Sequence, residues 1–117
     1  TFRKMQISEE PLMGLFGSKA AYLVLMYLQN YEEGYASQIA KTFKMSLSQV
    51  QNQLKKFEQL SLLVSRKQGS SRVYTFRQSP VTDALRLFLR TMLDSLPDST
   101  IEKFYQERRR PRRYGKR

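Results

Sequence analysis

The sequence predicts a mainly α-helical fold carrying one small β-hairpin, and three observations predict it. Apolar residues recur at helical three-and-four spacing in four separate stretches. Two of those stretches open on serine-based start signals. Two short β-prone runs flank Gly69, the glycine-containing turn of a hairpin. At 117 residues, with 40% hydrophobic and 26% charged residues, the chain has material for one compact core. No apolar run approaches the ~20 residues needed to span a bilayer.

Residues 1–16 read as an N-terminal arm whose apolar end, Leu12, Met13, Leu15 and Phe16, packs onto the domain. Ser18 is placed to cap a helix from Lys19 to about Tyr31. Its apolar residues, Tyr22 through Leu28, leave few faces for solvent, so this helix is expected at the centre of the core. Glu32-Glu33-Gly34 ends it, with Gly34 expected in a left-handed conformation. A second helix, about Ala36 to Phe43, sets Ile39, Ala40 and Phe43 on one face.

The third helix has the strongest start signal. Ser46-Leu47-Ser48-Gln49 fits a capping box, and Met45 and Val50 are spaced for a hydrophobic staple. At 100° per residue Val50, Leu54, Phe57 and Ser61 fall on one face, with Ser48, Asn52, Lys55 and Gln59 opposite, flanked by Gln49, Gln51 and Lys56. Asn and Gln have the donor-acceptor geometry for adenine, and Lys suits guanine or phosphate. Then come Leu62 to Lys67 and Arg72 to Arg77, joined by Gln68-Gly69-Ser70-Ser71. Arg66, Lys67 and Arg72 should project from the hairpin tip toward phosphates or a minor groove. One of the pairs Val73/Thr75 and Tyr74/Phe76 is expected in the core.

After Ser79-Pro80, a fourth helix is signalled by Thr82 or Asp83 near its start, with Ala84, Leu85, Phe88, Leu89, Met92, Leu93 and Leu96 at helical spacing. Three helices and a hairpin already supply a core, so part of this face, Leu85, Phe88, Leu89, Met92 and Leu96, is expected to join a second copy in a homodimer. Pro97 breaks the helix. Ser99-Thr100-Ile101-Glu102 fits another capping box, opening a short helix with Ile101, Phe104 and Tyr105 on one side that packs back. The end, 108–117, is too uniformly charged to fold and is expected to be a disordered arm.

Charge narrows the partner. Residues 41–77 carry eight basic groups and one acidic, and residues 108–117 carry seven and none, whereas residues 1–40 and 78–107 are near neutral. A local positive patch beside a neutral remainder attracts a polyanion, and nucleic acid is the first candidate partner. The tail arginines Arg109, Arg110, Arg112 and Arg113 suit the narrow minor groove of A·T-rich DNA. Their Arg110-Pro111-Arg112 centre resembles an AT-hook without its glycine. The same arm would also serve RNA phosphates or solubility. No basic segment has the wide apolar face of a membrane-surface helix.

The chain has no cysteine and no histidine, which removes disulfides, Cys/His metal sites, thiol nucleophiles and histidine-based triads. Carboxylates are scattered and no glycine-rich phosphate loop is present. The expectation is a non-enzyme without cofactor or metal. The absent disulfides and the absence of a signal-like apolar stretch at the start point to a cytoplasmic, nucleoid-associated location.

Taken in order, Leu15 to Lys19, Tyr35 to Ala40, the run Met45 to Leu63 with Val64-Ser65-Arg66, and the Gly69 to Tyr74 hairpin resemble a prokaryotic winged helix-turn-helix regulator of the ArsR-like or MarR-like kind. The likeness covers roughly residues 12–96. It implies a DNA-binding domain over residues 17–79, C-terminal helices over residues 80–107 that dimerise, and the tail beyond. Such regulators, often repressors, are symmetric dimers that insert each third helix into the major groove and lay their wings on flanking minor grooves. By position, Ser48, Gln49, Gln51, Asn52 and Gln53 would meet bases. Lys55, Lys56, Arg66, Lys67 and Arg72 would meet phosphate or minor groove. Metal sensing through cysteine or histidine, as in the ArsR-like group, is excluded here, and the basic tail departs from the pattern. Two other readings fit the same fold: a winged-helix module binding protein or RNA, and a nonspecific architectural DNA binder.

Overall fold

The computed structural model describes residues 10–105. In chain order it comprises α1 (Glu10–Leu15), α2 (Lys19–Tyr31), β1 (Glu33–Tyr35), α3 (Ala36–Phe43), α4 (Leu47–Gln59), β2 (Leu63–Gln68), β3 (Ser71–Phe76), α5 (Pro80–Asp94) and α6 (Asp98–Thr100), which runs on into a π-helical turn at Ile101–Tyr105. The predicted class, helices with a small antiparallel sheet, is the observed one. The N-terminal arm contributes α1, and Met13 and Phe16 pack against the core. The tail, 108–117, with Arg109, Arg110, Arg112 and Arg113, lies outside the described residues.

Helix α2 is the axis of the molecule: every residue from Ala20 to Asn30 is buried. Ser18 caps it, its Oγ accepting from the Ala21 N–H at 3.0 Å. The two buried polar residues at its end are both satisfied. Asn30 Nδ2 donates to the Tyr105 carbonyl at 3.0 Å, and Gln29 Oε1 accepts from Arg86 Nε at 2.8 Å.

The end of α2 differs from expectation. Glu32, with φ 75°, makes the left-handed turn, and Gly34 sits in β1 opposite Tyr74. What Gly34 supplies is the absence of a Cβ: one built there would lie 2.6 Å from Tyr27 Cε1. Strand β1 is itself an addition to the predicted hairpin, giving a three-stranded antiparallel sheet of order β1-β3-β2. Three residues are too few for alternation to be read from sequence. Because β3 is central, the expected choice between its two faces does not arise cleanly. Tyr74 and Phe76 join the main core, yet Val73 is also buried.

Helix α4 starts at Leu47 as predicted, with Ser46 Oγ accepting from the Gln49 N–H at 3.2 Å. Val50, Leu54 and Phe57 are buried. Ser61 is not their continuation: the helix ends at Gln59, and Ser61, with φ 65°, is exposed where the chain turns toward β2.

Helix α5 is capped by Ser79, whose Oγ accepts from the Thr82 N–H at 3.1 Å with Pro80 in the first turn. Thr82 and Asp83 thus lie in the first turn, near the start as expected, and Pro80 at its head needs no N–H partner. Leu89, Met92, Leu93 and Leu96 belong to the chain's own core. This corrects the expected dimerisation set: Leu89, Met92 and Leu96 are at most 4% exposed, because α5 packs directly on α2. The segment after Pro97 does pack back. Phe104 and Tyr105 rings stand 5.3 and 6.0 Å from Phe43, and Tyr31 Oη donates to the Phe104 carbonyl. Its helix begins at Asp98 with Pro97 in the cap position, so the box expected at Ser99 does not form.

Candidate nucleic-acid interface

With Val50, Leu54 and Phe57 anchored in the core, α4 is held so that Ser48, Gln49, Gln51, Asn52 and Lys55 all stand exposed on its outer side. The amphipathic period alone produces this stripe, and the anchoring makes it rigid. Gln53 is placed differently from the other four predicted base readers. It lies beside the core face, half-buried, and its Oε1 is enclosed with no hydrogen-bond partner among the described residues. Lys56 also differs from Lys55. Its ammonium stands 5.0 Å over the Phe57 ring, and a Cβ at Gly17 would be 3.6 Å from Nζ.

The wing is the β2-β3 hairpin, closed by Gly69 with φ 65° and Ser70. Lys67 and Arg72 face each other across its ladder, with Arg66 beside them opposite Val73, and all three cations are exposed. Two are steered by partners that the sequence reading did not identify. Arg66 pairs with Glu33 of β1 at 3.4 Å. Arg72 Nη1 donates to Ser65 Oγ at 3.1 Å, and Ser65 in turn donates to Glu58 Oε2 at 2.8 Å. Glu58 lies at the end of α4, so this relay fastens the wing to the helix. The first tie joins residues 33 positions apart and each link of the second spans seven, and no local pattern announces them.

Between the two surfaces runs a groove of about 480 Å³, walled by Ser37 at the start of α3, by Gln51, Asn52 and Lys55 of α4, and by Arg72 and Tyr74 of the wing. Tyr74 was legible only as a core candidate. Burial and the nearby Glu58 carboxylate raise its phenol pKa, while Arg72 acts in the opposite sense, so at neutral pH the hydroxyl is a donor. Base-reading and phosphate-binding types are thus gathered along one face, with α3 and Tyr74 added to the predicted set.

A second surface lies on the outer side of α5. Val81 and Leu87 are 70% and 62% exposed, and Phe88 is 38% exposed with its ring 6.2 Å from that of Phe16. Of the predicted dimerisation residues, Phe88 is exposed and Leu85 half-buried. Among the described residues no helix is long and apolar enough to cross a membrane.

No protein-family model matches the chain, and no curated protein matches it. Solved structures do. A MarR-family transcriptional regulator from Rhodococcus sp. RHA1 superposes with a TM-score of 0.53 at 13% identity, over 83% of this chain and 76% of that one. The adhesin competence repressor AdcR of Streptococcus pyogenes gives 0.52 at 12% identity, over 86% and 78%. A mutant of Lactococcus lactis ZitR gives 0.51 at 20% identity, over 77% of this chain and 64% of that one. The fold expected from the resemblance is therefore the fold found.

Proposed function

We propose that this winged helix-turn-helix chain is a sequence-specific double-stranded DNA-binding transcriptional regulator, acting as a repressor by occupying a promoter. The observation that carries the reading is the continuity of one polar and basic face. It runs from Ser48, Gln49, Gln51, Asn52 and Lys55 on α4 to Lys67 and Arg72 on the wing, with Arg66 exposed on the other face of the hairpin beside Glu33. Helix α4 enters the major groove, where Gln51 and Asn52 present bidentate amides to base edges. The wing lies on the flanking backbone and minor groove, where its cations contribute affinity without sequence information. Gln53 and Lys56 are secondary, since the first is half-buried and the second folds over Phe57.

The regulator works as a homodimer joined through the outer face of α5, Val81, Ala84, Leu87 and Phe88, in place of the core residues Leu89, Met92 and Leu96. Two α4 helices then address half-sites one helical turn, ~34–36 Å, apart. The tail arginines Arg109, Arg110, Arg112 and Arg113 add backbone or minor-groove contacts.

Selection of duplexes from a random pool at about 150 mM salt tests this, because nonspecific basic binding is suppressed there. Enrichment of an inverted repeat is the expected result, with Asn52→Ala relaxing preference at one position by ~1–3 kcal/mol. A pool that yields no motif would remove α4 as a base reader.

A further inference from the structure

The groove between α3, α4 and the wing has a feature that base readout does not use. Tyr74 is only 8% exposed, it borders the groove, and its hydroxyl has no hydrogen-bond partner among the described residues. A phenol held this way, with its ring buried and the protonated form favoured, presents its hydroxyl at the groove as a donor. The first turn of α3 opens onto the same space at Ala36 and Ser37.

That helix end has donors to offer. The N-cap residue is Tyr35, which makes no side-chain cap hydrogen bond, whereas Ser18, Ser46 and Ser79 cap α2, α4 and α5 with their hydroxyls. Gln38 Oε1 accepts from the Tyr35 N–H at 3.0 Å, and the Ala36 and Ser37 N–H groups stand at the positive end of the helix dipole. Lys55 and Arg72 stand on the opposite walls. Arg72 is kept in place by Ser65, itself bonded to Glu58.

We propose that this groove is a phosphoryl-binding site, in which Tyr74 Oη and the first N–H groups of α3 donate to the oxygens and Lys55 and Arg72 balance their charge. Each component suits an anion with several acceptor oxygens: an N-terminal helix turn, a guanidinium and an ammonium. The volume, about 480 Å³, admits the phosphate together with the sugar it is attached to. The bearer of the phosphoryl group is either a DNA strand or a free phosphorylated small molecule. Only the first alternative rests on the DNA-binding reading above.

Tyr74→Phe in the full chain tests the site, because it removes one oxygen and leaves the core ring. Inorganic phosphate is titrated while the amide resonances of Ser37, Lys55 and Arg72 are followed by NMR. Saturable shifts in the wild type, weakened about tenfold in Tyr74→Phe, are expected. Ala36→Pro is the second variant. It deletes one first-turn N–H at a position where proline is tolerated, since Tyr35 is already extended at φ −96° and ψ 152°. It should weaken phosphate comparably, with unchanged circular dichroism reporting an intact fold.

The duplex arm uses a selected site carrying single methylphosphonates. If neutralising one phosphate costs the wild type about tenfold but costs Tyr74→Phe nothing, the bearer is DNA. Saturable phosphate binding with equal duplex affinity in wild type and Tyr74→Phe assigns the site to a free phosphorylated ligand. Phosphate saturation in a protein that binds no duplex sinks the DNA-binding reading and leaves the site standing. Unmoved Ser37, Lys55 and Arg72 resonances, together with equal duplex affinity in wild type and Tyr74→Phe, overturn the proposal.

Discussion

Gly34→Ala should destabilise the protein, although glycine-to-alanine replacements at ordinary positions do the opposite. The added Cβ would lie 2.6 Å from Tyr27 Cε1 and 3.2 Å from Cδ1, roughly 1 Å inside a comfortable carbon-carbon contact of ~3.5 Å. Tyr27 has little freedom to retreat. It is 7% exposed, its ring centre is 4.4 Å from that of Tyr31, and Phe43 stands edge-on at 6.3 Å. Overpacking of this kind costs about 1–3 kcal/mol. The reduced entropy of the unfolded chain returns about 0.4–1 kcal/mol. The net loss is about 1–2 kcal/mol, read by urea denaturation followed by circular dichroism, with m unchanged and Tm lower by about 4–8 °C per kcal/mol.

The cause is isolated by a second background. In Tyr27→Leu the ring carbons are gone, so adding Gly34→Ala should be neutral or stabilising, and the cycle should return the clash itself as a coupling of about 1–3 kcal/mol. A left-handed glycine would behave otherwise: Gly34→Asn would then be tolerated, and truncating Tyr27 would rescue nothing. Equal stability of Gly34→Ala and wild type would refute the clash argument.

Four further outcomes are expected. Ser46→Ala removes the cap of α4 and should cost about 1 kcal/mol in denaturant melts without altering m. Under the proposed DNA reading, Arg72→Ala should weaken all duplexes alike and flatten the dependence of log K on log salt by about one unit, measured by fluorescence anisotropy. Leu87→Glu, at a position 62% exposed, should change unfolding free energy by no more than about 0.5 kcal/mol while, under the proposed dimer, shifting sedimentation from dimer to monomer. The raised phenol pKa of Tyr74 means that, above its ordinary value near 10, the folded chain retains a proton that the unfolded chain has lost. Stability should therefore fall as pH rises through that window and be indifferent to this group below it, so Tyr74→Phe should show a shallower alkaline decline than wild type.

Much of the candidate interface was readable in the chain because its signals are local. The Ser46 cap and the spacing of Val50, Leu54 and Phe57 fix the start and rotation of α4, and rotation decides that Asn52 and Lys55 face outward. Gln53 sits 100° from Asn52 along the same turn, and whether that borderline direction is wet or enclosed depends on what packs beside it. The wing cations were legible for a similar reason, being adjacent to a glycine turn. Their partners were not: Glu33 reaches Arg66 from another strand, and Glu58 reaches Arg72 only through Ser65.

By itself the sequence determined the four longest helices, the hairpin, the exposed stripe of α4 and the basic wing, because caps, apolar period and turn residues act within a few positions of each other. Tertiary structure alone decided three things. It gave β1 a place beside β3, turning Gly34 from a helix stop into a clearance for Tyr27. It consumed Leu89, Met92 and Leu96 in the core and left Val81, Leu87 and Phe88 outside. It also brought the first turn of α3 and the Tyr74 side chain to one groove. Periodicity specifies the directions in which side chains leave a helix or strand, and only the packing of one element on another specifies what stands in those directions.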